Sequence, residues 1–164
     1  MISARLIISV IGAGKCDEDT YAVAEQVGRA LALRGATVVC GGLGGVMEAA
    51  CKGAKGAGGR TIGILPGIDH TEANAYVEIP IVTGLGEARN VIVVRSGRAV
   101  VAVGGEYGTL SEIAFALKFG IPVIGLGTWQ LARDARVLSG IVEASDPSEA
   151  VELAINKVRA LQRD

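Results

Sequence analysis

Residues 99–112 have the sequence AVVAVGGEYGTLSE, in which a glycine-rich loop joins an apolar run to a helix-forming run. A second stretch of the same design, TVVCGGLGGVM, covers residues 37–47. A loop that turns from strand to helix without Cβ atoms exposes backbone N–H groups beside the positive end of the helix, where an anion is favoured. The two stretches together predict a phosphate-bearing small molecule held between two loops.

Apolar runs alternate with amphipathic runs along the rest of the chain. The pattern predicts strands at residues 6–11, 37–40, 61–65, 98–103 and 122–126, and helices at residues 20–34, 46–57, 87–95, 109–119 and from 147 onward. Residues 77–82 contain Pro80, which restricts them to an edge strand or a linker. The alternation predicts one α/β domain over residues 1–164, a Rossmann-like open parallel sheet with helices on both faces.

Composition narrows the class of protein. The chain has 164 residues, 50% of them hydrophobic, and a net charge of −1, so we expect a buried core and no nucleic-acid partner. No run approaches the ~20 apolar residues that span a membrane, and the first residues lack the pattern of a signal peptide. We therefore expect no membrane partner and a cytoplasmic location.

Several common sites are disfavoured by the residues present. The spacing of Cys16, Cys40 and Cys51 fits no zinc motif, so we expect reduced thiols. His70 is the single histidine, and we predict no metal site. Gly12-Ala13-Gly14 follows the first strand, but Asp17 stands where a dinucleotide fingerprint needs its third glycine, which argues against NAD. Neither glycine loop continues into the Lys-Ser/Thr pair of a nucleoside-triphosphatase loop.

The predicted ligand-binding residues come mainly from the loops that follow strands. Glycines after strands can also serve only as tight turns, and this alternative stays open. Arg89 and Arg95 are candidate anion ligands because a guanidinium group binds phosphate in a bidentate manner. The loop candidates are Gly12, Gly41, Gly42, Gly45, Met47, Gly104, Gly105, Tyr107, Gly108 and Thr109.

Glu112 has two interpretations. Thr109 and Glu112 have the spacing of a capping box, in which both side chains satisfy N–H groups at the start of a helix. The functional interpretation is a carboxylate beside the second loop. Such a carboxylate cannot face a phosphate, because like charges repel, but it can accept a sugar hydroxyl or act as a general acid or base.

The two loops, together with the run TIGILP at residues 61–66, resemble a known family. It is the family of Rossmann-like nucleotide-binding proteins often labelled lysine decarboxylase, which includes LOG-type cytokinin-activating phosphoribohydrolases and molybdenum cofactor carrier proteins. The resemblance covers the chain to about residue 126. The hallmark loops GGGxxGxM and PGGxGTxxE are matched by Gly41, Gly42, Gly45 and Met47, and by Gly104, Gly105, Gly108, Thr109 and Glu112.

The resemblance implies a function and leaves two forms of it open. In that family an arginine before the second motif and the final glutamate of that motif are linked to nucleoside-monophosphate hydrolysis, and Arg89 and Glu112 match these positions. The first form is a protein that binds molybdenum cofactor or a nucleotide as its ligand. The alternative is a phosphoribohydrolase that cleaves the N-glycosidic bond of a nucleoside 5′-monophosphate and requires no cofactor. Whether the protein is an enzyme therefore stays open.

Departures from the family pattern favour the binding form. Cys40 replaces the first glycine of the first loop, Val103 replaces the proline of the second, and Asn90 stands where the hydrolases carry lysine. Residues 88–90, Ala-Arg-Asn, look closer to the carrier branch. No lysine is singled out for pyridoxal phosphate, so we do not expect a lysine decarboxylase. Family members form dimers or larger assemblies, which implies a homo-oligomer here, a dimer or a tetramer.

Overall fold

The structure is a computed structural model that describes residues 6–161. Residues 1–5, on which the signal-peptide interpretation depends, and residues 162–164 lie outside the described residues. The prediction of one domain over residues 1–164 includes these ends and stays a prediction. The elements are β1 (Ile7–Gly12), α1 (Glu18–Leu33), β2 (Thr37–Cys40), α2 (Val46–Gly56), β3 (Thr61–Leu65), β4 (Ile79–Val82), α3 (Asn90–Ser96), β5 (Val100–Val103), α4 (Tyr107–Lys118), β6 (Val123–Leu126), β7 (Ala132–Arg133), β8 (Arg136–Val137), β9 (Ile141–Glu143) and α5 (Pro147–Ala160), with short 3-10 turns at His70–Glu72 and Gly86–Arg89.

Seven strands form one sheet in the order β4-β3-β2-β1-β5-β6-β9. Every neighbouring pair in this sheet is parallel, so the predicted α/β Rossmann-like fold is confirmed. Pro80 lies in β4, which among the described strands pairs with β3 alone and forms an edge of the sheet, where proline is tolerated. The prediction missed β9 and the small β7–β8 hairpin. Both are short, and the hairpin is exposed, so neither carries an apolar period that sequence patterning detects.

Helices cover both faces of the sheet, and each face has its own core. On one face α1, α2 and α5 bury side chains such as Val27, Leu31 and Val151 against the strands. On the other face α3 and α4 bury Val93 and Ile113. The central strands are fully buried and rich in valine and isoleucine, as expected where a parallel sheet is covered on both sides.

The order of the strands places a crevice at one edge of the sheet. Strand β1 pairs with β2 on one side and with β5 on the other, so the chain winds outward in opposite directions from β1. At such a switch point the loops that follow the two neighbouring strands diverge, and ligands of open α/β sheets bind there. Within residues 6–161 no helix combines the length and the apolar character needed to cross a bilayer.

Candidate functional site

A cavity of about 390 Å³ opens at this crevice. Its walls come from the segments that follow β1, β2, β3 and β5, together with the turn that leads into α3. Its volume lies within the range of about 300–1,000 Å³ that holds small molecules and cofactors. The lining residues are Gly12, Ala13, Gly14, Leu43, Met47, Pro66, Glu87, Arg89, Asn90, Glu106, Gly108, Thr109 and Glu112.

Arg89 provides a fixed positive charge in the wall of the cavity. It ends the turn Gly86–Arg89, and its residue is only 8% exposed. One terminal nitrogen, Nη2, donates to the carbonyl oxygen of Gly41 at 3.3 Å, and the other, Nη1, donates to Oδ1 of Asn90. Burial lowers the pKa of Arg89, while the charge of Glu112 opposes this effect. The side chain is therefore held in one place before any ligand arrives.

The third guanidinium nitrogen, Nε of Arg89, is buried and finds no hydrogen-bond partner among the residues that the structure describes. A buried donor of a charged group left without an acceptor costs roughly 1–3 kcal/mol or more. An anionic ligand in the cavity is one partner that would reduce the cost of burying this cation. This observation points to a ligand independently of the glycine loops.

Glu112 lies in the second turn of α4 and is 6% exposed. Burial raises its pKa to about 8, and the Arg89 charge only partly offsets this effect. Hydrogen bonds from the described residues make no contribution to that pKa. At neutral pH the carboxyl group is therefore largely protonated, so it neither repels an anion nor neutralises Arg89.

The capping-box interpretation of Glu112 is wrong. Helix α4 begins at Tyr107, with Glu106 as its N-cap residue, so Thr109 and Glu112 both lie inside the helix. The helix therefore begins two residues before the predicted start at Thr109. Gly105, with φ +112, turns the chain just before Glu106. A Cβ atom at Gly105 would lie 2.5 Å from Cβ of Thr109. The glycine thus allows the buried Thr109 to pack under the loop.

The four longest helices begin in two different ways. Asp17 caps α1 by accepting a hydrogen bond from the amide of Thr20 at 2.7 Å, and Asp146 caps α5 by accepting one from Glu149 at 2.9 Å. Helices α2 and α4, which follow the two glycine loops, have no side-chain cap. The first N–H groups of a helix need partners. In α2 the amide of Val46 already donates to the carbonyl oxygen of Ala13 at 3.0 Å, whereas a ligand in the crevice can supply partners at the start of α4.

The structure brings part of the predicted site together. Half of the twelve predicted binding residues line the cavity, and the other half lie in or beside the loops without lining it. Those that line it are Gly12, Met47, Arg89, Gly108, Thr109 and Glu112. Those that do not are Gly41, Gly42, Gly45, Gly104, Gly105 and Tyr107.

The structure shows what surrounds two residues of the second group, Gly41 and Tyr107. A Cβ atom at Gly41 would lie 2.6 Å from Nη2 of Arg89, so only glycine leaves room for the guanidinium group. Tyr107 is 80% exposed, and its ring centroid lies 5.8 Å from that of Trp129. Arg95, the second candidate anion ligand, is placed elsewhere, with its guanidinium group 3.9 Å from the centroid of the Phe119 ring. Direct contact with a ligand stays a prediction for every residue named.

Sequence reasoning missed seven residues of the lining, and most of them carried a usable signal. Ala13, Gly14 and Pro66 directly follow predicted strands, and carboxyl ends of parallel strands share one edge of the sheet. Leu43 and Glu106 are the side-chain-bearing residues inside the two glycine loops. Glu87 and Asn90 flank Arg89, and only their positions in the folded turn reveal that they reach the cavity.

The charges of the lining define what it can hold. Among the described lining residues Arg89 is the single Lys or Arg, and it is buried, whereas Glu87 and Glu106 are exposed at the rim. The interior therefore suits an anion bound by Arg89 and by helix N–H groups. The rim suits hydrogen-bond donors, such as the hydroxyl or amino groups of a ligand. None of the described residues forms a cluster of three His, Cys, Asp or Glu side chains able to bind a metal ion.

This fold and cavity define a Rossmann-like α/β protein with a small-molecule cavity at its topological switch point. Residues 5–154 match the sequence profile of the SLOG cluster4 family, and the chain belongs to that family.

Several proteins from other organisms are similar to this chain over nearly its whole length. An uncharacterized protein of Archaeoglobus fulgidus is 47% identical over 149 residues, which cover 91% of this chain and 94% of that protein. The structure of the molybdenum cofactor binding protein of the phototrophic bacterium Rippkaea orientalis superposes with a TM-score of 0.86 at 40% identity, covering 94% and 98% of the two chains. The Moco carrier protein of Chlamydomonas reinhardtii gives a TM-score of 0.81 at 42% identity, covering 96% and 99%. The predicted resemblance to molybdenum cofactor carrier proteins is thus confirmed.

Proposed function

We propose that this protein binds a phosphate-bearing cofactor of the molybdenum cofactor type and carries it without altering it. The observation that carries the proposal is the buried, partly unsatisfied Arg89 in a cavity that also receives the uncapped start of α4. Both features favour an anion. The two carrier proteins that superpose on this chain support the choice of ligand, because their names give molybdenum cofactor as what they bind or carry.

The residues in the cavity suit separate parts of such a ligand. The phosphate group would lie between Arg89 and the first N–H groups of α4, where a positive charge and a helix dipole act together. The pterin ring carries amino and ring N–H groups, and the exposed carboxylates of Glu87 and Glu106 at the rim can accept hydrogen bonds from them. Met47 and Leu43 provide apolar contacts for a flat ring system.

The test is to ask what the native protein holds. We expect protein purified from a host that makes molybdenum cofactor to contain about one pterin per chain, measured by the fluorescence of the oxidised pterin released from it. Arg89→Lys keeps the charge but loses the bidentate geometry, and we expect roughly ten- to a hundredfold weaker retention, from the ~1.5–3 kcal/mol of a charged hydrogen-bond pair. Arg95→Lys is the matched control, because Arg95 lies on Phe119 outside the lining.

Two results would count against the proposal. One is native protein without pterin or any other phosphate compound. The other is an equal loss of pterin from the Arg89→Lys and Arg95→Lys proteins, which would show that binding does not depend on the cavity.

A second candidate function is hydrolysis of a nucleoside 5′-monophosphate. It is favoured by one observation, the buried Glu112, whose pKa of about 8 suits proton transfer near neutral pH. Incubation with AMP should then release adenine, and Glu112→Gln should abolish the release. The rate should rise as the pH passes about 8 if Glu112 acts as a base, and fall if it acts as an acid. Tight binding of AMP without release of adenine at any pH would leave the carrier function alone.

Two further proposals concern the oligomeric state and the cellular location of the protein. We propose a homo-oligomer, a dimer or a tetramer, and a cytoplasmic location. Light scattering on the purified protein tests the first, because a monomeric mass at micromolar concentration would contradict it. Fractionation of the source cells tests the second.

A further inference from the structure

Two thiols lie in contact beneath the first glycine loop. Cys40 ends β2 and Cys51 lies in α2, and both residues are 0% exposed. Their Sγ atoms are 3.5 Å apart. The two cysteines bracket residues 41–50, so the whole of the first glycine loop lies between them in sequence. Neither thiol lines the cavity, and the proposed binding function does not use them.

The two thiols have different surroundings. The two thiols share a hydrogen bond in which either sulfur can be the donor, and the amide of Gly42 donates to Sγ of Cys40 at 3.3 Å. Together with the nearby charge of Arg89, these hydrogen bonds lower the pKa of Cys40. The pKa of Cys51 is raised by its hydrogen bond with Cys40 and by burial. Cys40 is thus the better nucleophile, and Cys51 is positioned as the second thiol of a pair.

Side chains of the loop, of α2 and of the connection before β4 cover the pair. The side chains packed against the two cysteines are Met47 and the partly buried Leu43, Tyr76 and Val77. Tyr76 and Val77 belong to the connection before β4, and Leu43 belongs to the glycine loop itself. Local opening of a loop costs less than unfolding of the core, so small oxidants can reach these thiols without global unfolding.

We propose that Cys40 and Cys51 are a redox-active dithiol that a peroxide converts to an intramolecular disulfide, and that the bond rearranges the first glycine loop. The Cys40 thiolate attacks one oxygen of hydrogen peroxide, which gives a sulfenic acid at Cys40 and releases hydroxide. The sulfur of Cys51 then attacks the Cys40 sulfur and displaces water, and the two thiol protons are taken up by the departing oxygens. Two thiols and one hydrogen peroxide thus give one disulfide and two water molecules.

Bond formation changes the contacts beneath the loop. A disulfide bond is about 2 Å long, so the two sulfurs approach each other by more than an ångström from their 3.5 Å separation. The sulfur of Cys40 accepts the hydrogen bond from the amide of Gly42 in the reduced protein, so movement of this sulfur disturbs that hydrogen bond. Gly41, the neighbour of Cys40, provides the carbonyl oxygen that accepts from Arg89. The change therefore reaches the residue that holds the cation of the cavity.

Mass spectrometry tests the crosslink directly, in the Cys16→Ser protein so that only the pair remains. Trypsin cleaves after Arg34 and Lys52, so both cysteines fall in one peptide, residues 35–52. After peroxide treatment of the folded protein, we expect this peptide to be lighter by two hydrogen atoms and to resist alkylation. Dithiothreitol should reverse both changes. Cys51→Ala in the same background is the control, and its peptide should gain oxygen instead.

Native structure should speed the reaction, because it holds the sulfurs in contact. We expect the folded protein to form the crosslink at least tenfold more completely, at equal peroxide and time, than protein unfolded in guanidinium chloride. A peptide that stays fully alkylatable in the folded protein, while the unfolded protein crosslinks, would overturn the proposal.

Nuclear magnetic resonance tests the rearrangement. Amide resonances of Gly41, Gly42 and Gly44 should shift on oxidation, whereas those of Gly58 and Gly120, in turns away from the pair, should not. A disulfide that leaves the loop resonances unmoved would refute the rearrangement. Neither readout involves a ligand, so both judge the dithiol independently of the proposed binding function.

Discussion

Glu112 should make the stability of the ligand-free protein fall as the pH rises. Its carboxyl group has an ordinary pKa of 4.5 in the unfolded chain and a pKa of about 8 in the folded protein, because burial disfavours the ionised form. Between these values the native state binds a proton that the unfolded state has released. Stability from this group is therefore fully present below about pH 4.5 and is lost as the pH rises towards 8.

The magnitude follows from the two pKa values. Each tenfold difference in proton affinity corresponds to about 1.4 kcal/mol, so the group should cost about 3 kcal/mol of unfolding free energy between about pH 5 and pH 8. Glu112→Gln retains the shape of the protonated acid but cannot ionise. In urea unfolding, we expect the free energy of unfolding of the unaltered protein to fall with rising pH and that of Glu112→Gln to lack this fall. Glu112→Gln should therefore be the more stable of the two proteins near pH 8.

The control for this experiment is Glu106→Gln, which removes an exposed carboxylate from the rim of the same cavity. That variant should keep the pH slope of the unaltered protein. Our reasoning would be refuted by equal slopes in the unaltered and Glu112→Gln proteins, or by a stability that does not change over this pH range.

Three further predictions concern the residues around the loops, each measured by urea unfolding. Gly105→Ala should destabilise the protein by about 1–3 kcal/mol, because φ is +112 and the new Cβ atom meets the side chain of Thr109. Gly108→Ala is the control, since open space surrounds Gly108, and it should cost much less. Equal losses of stability in the two variants would disprove this account. Asn90→Ala should cost about 1.5–3 kcal/mol, since it removes an acceptor from the buried Arg89, and a loss below about 0.5 kcal/mol would show that this pairing is unimportant. Glu106→Ser should add a side-chain cap to α4 and gain about 0.5–1 kcal/mol while weakening retention of pterin, and unchanged retention would argue against a ligand at this end of the helix.

The sequence was sufficient to predict the class of the fold, because the patterns that indicate strands and helices are local. Runs of valine and isoleucine at β2 and β5, each followed by glycines and a helical period, define βα units whose parallel arrangement has few alternatives. Pro80 limited residues 77–82 to an edge strand or a linker, and the structure shows the edge strand. The short β9 was missed because three residues cannot show a period, and its pairing with β6 depends on long-range contacts.

The site was less predictable because its properties depend on burial. The spacing of Thr109 and Glu112 fits a capping box, but the helix starts earlier, and the conformation of Gly105 that moves its start leaves no signature in the side chains. The sequence also cannot show that Glu112 is largely neutral near pH 7, since that follows from the residues that enclose it. The chemistry of the guanidinium group makes Arg89 and Arg95 equal candidates, and it was the family resemblance that favoured Arg89, which the turn before α3 places at the cavity.

The uncapped start of α4 and the neutral state of Glu112 have a common consequence for the ligand. With Glu112 protonated, Arg89 carries the one buried charge among the described lining residues, and the end of α4 adds a partial positive charge beside it. A bound phosphate would compensate both, and its negative charge would raise the pKa of Glu112 further, because two buried negative charges on one helix repel each other. Ligand binding and proton retention by Glu112 should therefore reinforce each other. It follows that affinity for a phosphate ligand should weaken as the pH rises above about 8, and that Glu112→Gln should remove this dependence while leaving binding near neutral pH intact.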